Sequence, residues 1–154
     1  MINKSLILLL ICFLFGCGYE PLYLKKNSLD IPIKSWEFNG DKNINRMIST
    51  QLKSLQNNDK KIGYDAKINS TKLLEVVSKD SSGNPSIYRL SVMVNLKLLD
   101  NQSIIKQRDF DRSFTFNDNE NKFELAQYKK NIEINLVNEI AEKIFIFVRS
   151  NKWF

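Results

Sequence analysis

From residue 88 to residue 98 every second side chain is apolar: Tyr88, Leu90, Val92, Val94, Leu96 and Leu98, set against Arg89, Ser91, Asn95 and Lys97. Side chains on a strand point alternately to its two faces. Six matches in succession therefore specify a strand with one face on a core and the other in water. A helix would scatter the same six residues around its circumference. Residues 100–103, Asp-Asn-Gln-Ser, form a tight turn after this strand, and residues 81–85, Ser-Ser-Gly-Asn-Pro, form one before it. Upstream, Tyr64, Ala66, Ile68, Leu74 and Val76 share one parity, with Asp65, Lys67, Asn69 and Glu75 on the other. Downstream, residues 104–116 make a third long strand with a less regular pattern. Phe110, Phe114 and Phe116 share a parity with Lys106, Arg108 and Arg112. Either a bulge near Arg108 resets the facing, or the strand lies partly outside the core.

Two helices bracket the meander. Ile44, Met47, Ile48, Leu52 and Leu55 recur at three- and four-residue steps behind a cap at Asp41 or Asn43. Residues 122–149 form a long helix with a stripe of Leu125, Ile132, Leu136, Ile140 and Ile144. A short strand at residues 31–38, carrying Trp36 and Phe38 on one face, precedes the first helix. Each helix is apolar on one side, so each needs a sheet to cover. The predicted fold class is α+β, a two-layer sandwich of a four-stranded sheet with two helices on one face, in the order β-α-β-β-β-α. Residues 144–148 are apolar all round, which calls for burial on several sides or a face left for another molecule.

The first residues describe a separate function. Residues 6–15 are an unbroken apolar run after Lys4. As a helix they measure about 15 Å, half of a hydrocarbon core, which suits a secretory leader rather than a membrane span. The run ends Leu14-Phe15-Gly16-Cys17, the pattern that a lipoprotein signal peptidase recognises; Phe15 departs from the small or β-branched residue usual there. Residues 1–16 are therefore predicted to be a lipoprotein signal peptide, 17–30 a lipidated tether and 31–154 one α+β domain. The Cys17 thiol would carry an S-diacylglycerol and its new amino group an acyl chain. Two or three chains make attachment effectively permanent. Gly18 is neutral, so the expected location is the periplasmic side of the outer membrane.

Composition narrows the chemistry. The chain has no histidine, which removes Ser-His-Asp and Cys-His nucleophiles and imidazole metal sites, and its five glycines form no phosphate loop. No metal, no non-covalent cofactor and no enzymatic activity are expected. Asp109 and Asp111 are the one close carboxylate pair on a strand, the basis of an alternative reading as a carboxylate-dependent cell-wall hydrolase. The net charge of +6 points, in a lipid-anchored protein, to anionic lipid rather than nucleic acid.

After the cysteine the chain reads Cys17-Gly18-Tyr19-Glu20-Pro21-Leu22-Tyr23. With its lipobox, this resembles the start of the LPS-assembly lipoprotein family (LptE, also called RlpB), and the order of elements is similar too. The resemblance implies a non-enzymatic partner of the LptD-type outer-membrane β-barrel, seated in its lumen, that assists its assembly and engages lipopolysaccharide. In this reading Gly18, Tyr19, Pro21, Leu22 and Tyr23 form the family-like tether motif. Separately, the residues themselves suggest phosphate contacts: Arg89 and Lys97 on the open sheet face, joined by Arg108 or Arg112 on the adjoining strand. An auxiliary lipoprotein of an ABC-type lipid transport system is the other reading of the same tether and domain.

Overall fold

The computed structural model describes residues 33–56 and 63–150. The leader, the Cys17 tether and Trp153 and Phe154 lie outside the described residues. Strand β1 (Ile33–Gly40) is followed by helix α1 (Lys42–Leu52) and a 3-10 turn (Lys53–Leu55). Three long strands come next, β2 (Tyr64–Lys79), β3 (Pro85–Asp100) and β4 (Ser103–Asn117), and helix α2 (Lys122–Arg149) closes the described chain. The sheet order is β1-β2-β3-β4, with β1 parallel to β2 and the other pairs antiparallel. This is the predicted α+β sandwich, with both helices on one face.

Local chemistry sets the boundaries. Asp41 caps α1 by accepting from the backbone N–H groups of Asn43 (2.9 Å) and Ile44 (3.0 Å). Asn121 does the same for α2 at Phe123 and Glu124, and its amide donates to Glu124 in return. The β3–β4 hairpin closes on Asn101 and Gln102, both at positive φ (45° and 71°), which matches the twist of its flanking strands. The β2–β3 turn is organised by Asp80, whose carboxylate accepts from the N–H groups of Ser82 and Asn84.

The core lies between the sheet and the helices. Ile33, Ile44, Ile48, Ile68, Val92, Leu96, Leu98, Ile140 and Ile144 are all but fully buried. The alternation of β3 is realised: Leu90, Val92, Val94, Leu96 and Leu98 are buried and Tyr88 packs against them. Every residue of the α2 stripe is buried as well. Residues 144–148 remain helical; Ile144, Phe147 and Val148 face inward and Ile146 is left exposed.

Two features lie beyond what alternation alone shows. Leu74 and Val76 share the helix-side parity of Ala66 and Ile68, yet they are 47% and 45% exposed. The reason is length. β2 has 16 residues and α1 has 11, so about 54 Å of strand meets about 16 Å of helix. α1 begins at the level of Ser70, whose carbonyl accepts from Asp41 N–H at 3.0 Å. It ends near Ile33, which bridges to Gln56. Beyond Ser70, β2 has no α1 over its face.

The second concerns β4, where of the two expected alternatives the one realised is a strand lying partly outside the core. Its register with β3 runs unbroken from Lys106 to Asn117, with no bulge at Arg108; the irregularity lies between Leu98 and Leu99. Lys106, Arg108, Phe110, Arg112, Phe114 and Phe116 therefore all face the helices, opposite Leu98, Leu96, Val94, Val92, Leu90 and Tyr88. β4 is an edge strand, and α2 covers Phe110 and Phe116 but leaves Phe114 44% exposed.

Candidate functional site

The open face of the sheet carries several polar rows set by strand register, with Leu73 and Met93 as exposed apolar residues among them. One row runs Glu37, Lys67, Lys97, Gln107 and the next Asn39, Asn69, Asn95, Asp109. Toward the β2–β3 turn, Glu75, Arg89 and Thr115 form another. The acids on the β1 side are held ionised. Lys67 bonds Glu37 at 2.8 Å and, with Asn39, lowers its pKa. The Ser35 hydroxyl donates to Asp65 and lowers its pKa, helped by Lys34 at 3.4 Å. Asn95 donates from its amide to Asp109.

The four predicted phosphate contacts do not share this face. Arg89 and Lys97 are on it, eight residues apart, or about 27 Å along the strand. Lys97 stands beside Lys67, whereas Arg89 stands between Glu75 and Thr115. Arg108 and Arg112 are on the opposite face. Arg112 Nε donates to Glu139 of α2 at 2.8 Å. The Arg108 guanidinium lies 5.2 Å from the centre of the Phe147 ring and 5.5 Å from that of Phe110. Lys106 covers the same Phe147 ring at 4.3 Å, and its pKa is lowered by burial and by Arg108. The parity shared by Arg108, Arg112 and the phenylalanines carried this signal, because an edge strand half-covered by a helix can place cations over aromatic rings.

Asp109 and Asp111 are both exposed on the open face, opposite Asn95 and Met93. Among the described residues no group of three or more Cys, Asp or Glu side chains is placed to hold a metal ion. Among the same residues no helix is long and apolar enough to cross a membrane. Cys17, its lipobox (Leu14, Phe15, Gly16) and the tether motif lie outside the described residues.

Sequence reasoning missed one surface. Leu73, Leu74, Val76 and Val77 are 43–47% exposed near the β2–β3 turn. The signal was available, because Leu73, Leu74, Val76 and Val77 place apolar side chains at both parities, whereas residues 64–69 alternate.

The described residues form a two-layer sandwich with one face of the sheet left open. No family model and no curated protein matches the sequence. Solved structures match the fold. A minor lipoprotein from Acinetobacter baumannii superposes with a TM-score of 0.61 at 11% identity, over 79% of this chain and 95% of that one. The rare lipoprotein B from Shewanella oneidensis gives a TM-score of 0.50 at 13% identity, over 71% and 92%. The shared property is the fold.

Proposed function

We propose that this chain is a lipid-anchored lipoprotein on the periplasmic side of the outer membrane. In this reading it is the partner of an LptD-type β-barrel in lipopolysaccharide transport and insertion, and it catalyses no reaction. The observation that carries the reading is a coincidence of two independent features. The run Cys17-Gly18-Tyr19-Glu20-Pro21-Leu22-Tyr23 follows a lipobox, and the domain behind it has the fold of a rare lipoprotein B. The polar open face supports a place within a barrel lumen, where hydrogen-bonding groups must face hydrogen-bonding groups. Arg89 and Lys97 on that face are the proposed contacts for lipopolysaccharide phosphates. Arg108 and Arg112 leave that role, since their side chains are engaged on the helix side.

Detergent extraction of the processed protein and pull-down through a C-terminal tag tests the reading. Recovery of a large β-barrel with an acylated Cys17 supports it. Recovery of inner-membrane transporter subunits replaces it with the ABC-system reading, and an unmodified Cys17 thiol in native material removes the anchor.

A further inference from the structure

Two long stretches of sheet edge are unpaired among the described residues. β4 is unpaired along its outer side. β2 is unpaired beyond Ser70, because β1 ends at Gly40, the partner of Ser70 in the register. An unpaired edge offers N–H and C=O groups to any extended chain, so soluble proteins guard it with charge, proline or short length. β4 is punctuated by Lys106, Arg108, Asp109, Asp111 and Arg112 while exposing Ile104, Ile105 and Phe114, and the β2 edge carries Lys72, Glu75 and Lys79 with a register irregularity between Val76 and Ser78. The β2 edge at residues 71–79 reads Thr-Lys-Leu-Leu-Glu-Val-Val-Ser-Lys, and its central apolar residues are nearly half exposed. Both faces take part. Leu73 lies opposite Ser91 on the open face, and Leu74 and Val76 lie opposite Leu90 and Tyr88 on the helix face. Sequences of this kind pair readily with other strands.

We infer that the 71–79 edge of β2 is a docking site for an extended strand of the barrel partner, laid in the column that β1 vacates at Gly40. This rests on the functional reading above. The site is strand-shaped: its nine residues span about 30 Å, close to the 9–11 residues of a membrane-barrel strand. Its side chains match such a strand, which alternates apolar and polar residues. Leu74 and Val76 meet the apolar set, and Glu75, with Arg89 across from it on β3, meets the polar set and favours a lysine or arginine opposite. A closed barrel has no edge, so the incoming strand is one still unpaired during barrel assembly. A second copy of this chain fits less well. Antiparallel self-pairing centred on Glu75 sets that carboxylate against its own copy and drives the Asp80–Pro85 turn into Gly40.

The test is photo-crosslinking in cells of the full lipidated chain, with a photoreactive residue at Leu73 or Val77, and at Ile104 on the β4 edge as control. Adducts with the barrel chain are expected from positions 73 and 77 and not from 104. Val76→Lys, checked for an unchanged fold by circular dichroism, should reduce barrel recovery several-fold. If the barrel co-purifies but positions 73 and 77 give no adduct with it, or Val76→Lys recovers it as well as the wild type, the strand-addition inference is overturned and the functional reading stands. Adducts of 73 or 77 with residues 1–32 of the same chain, or with a second copy, overturn it equally. If the wild-type chain recovers no barrel at all, the functional reading fails and takes this inference with it.

Discussion

Gly40 lies against the backbone of Ser70 so closely that a Cβ on Gly40 would overlap the Ser70 carbonyl. Its φ of +92° is also one that other residues rarely adopt. This contact ends β1, turns the chain into α1 and leaves β2 unpaired from Thr71 onward. Gly40→Ala should therefore cost more than the roughly 1–3 kcal/mol of a residue forced into a sparsely populated backbone region, because the Ser70 backbone must also move. Denaturant unfolding reads this as a lower midpoint at unchanged slope. A midpoint equal to wild type would mean that the β1–α1 junction relaxes freely.

The junction is held by a buried polar pair as well. Ser70 Oγ donates to the Asn45 side-chain carbonyl at 2.8 Å, and the Asn45 amide donates to the Asn39 carbonyl at 3.0 Å. Both residues are buried, 2% and 8% exposed. Ser70→Ala removes the donor and leaves the Asn45 oxygen unsatisfied, an expected loss of about 1–3 kcal/mol. The double variant Ser70→Ala with Asn45→Ala should lose less than the sum of the two singles. Strict additivity would show that the pair is not coupled.

A smaller effect is expected across the α2–β4 seam. Arg112 and Glu139 meet at 2.8 Å, but their side chains are 34% and 57% exposed. Screening by water limits such a pair to about 0.2–1 kcal/mol in a double-mutant cycle, less at high salt. A coupling of several kcal/mol that survives high salt would contradict this picture of the seam.

The strength of each sequence signal follows from how completely its element is covered. β3 has neighbours on both sides and helices on one face, so burial imposed strict alternation from Tyr88 to Leu98. α2 spans about 42 Å, long enough to cross the sheet, and its stripe from Leu125 to Ile144 was equally clear. β4 is an edge under partial cover, which let cations and phenylalanines share a parity, and Arg108 and Arg112 were open to assignment on either face. Leu74 and Val76 show a different limit. Parity gave their face correctly, but exposure depends on how far α1 reaches, and that is a property of another segment. Of the candidate site, the pairing of Lys97 with Lys67 was hidden because register is set by hairpin geometry rather than composition, whereas the separation of Arg89 from Lys97 along one strand was legible.

Acid should loosen the domain at three surface positions. Hydrogen bonds from Lys67 to Glu37, from Ser35 to Asp65 and from Lys122 to Asp118 lower the pKa of each acid. A folded-state pKa below the unfolded value contributes stability above that unfolded value, about 4 for a carboxylate, and the contribution disappears as pH falls through the lower folded value. The raised pKa of Lys122 acts in the opposite range, its contribution being lost only above the ordinary lysine value. The melting temperature should hold steady from neutrality to about pH 5 and decline below about pH 4. Asp118→Asn should make that decline shallower. An identical acid profile in the variant would remove Asp118 from the account.

The lipopolysaccharide proposal makes a quantitative demand on the open face. Lys97 and Lys67 are adjacent in register, while Arg89 is about 27 Å away beside Glu75. Two phosphate-binding points so far apart act independently, so Lys97→Glu and Arg89→Glu should weaken lipopolysaccharide binding by additive amounts. Each should also flatten the dependence of affinity on salt, because each removes one screened charge–charge contact. Arg112→Glu, on the helix face, should leave affinity unchanged once its fold is verified. Binding measured by titration of the detergent-solubilised protein distinguishes the cases. If both open-face variants bind like wild type, the open face is not the lipid surface. If Arg112→Glu alone loses binding, recognition lies on the helix side of the sheet.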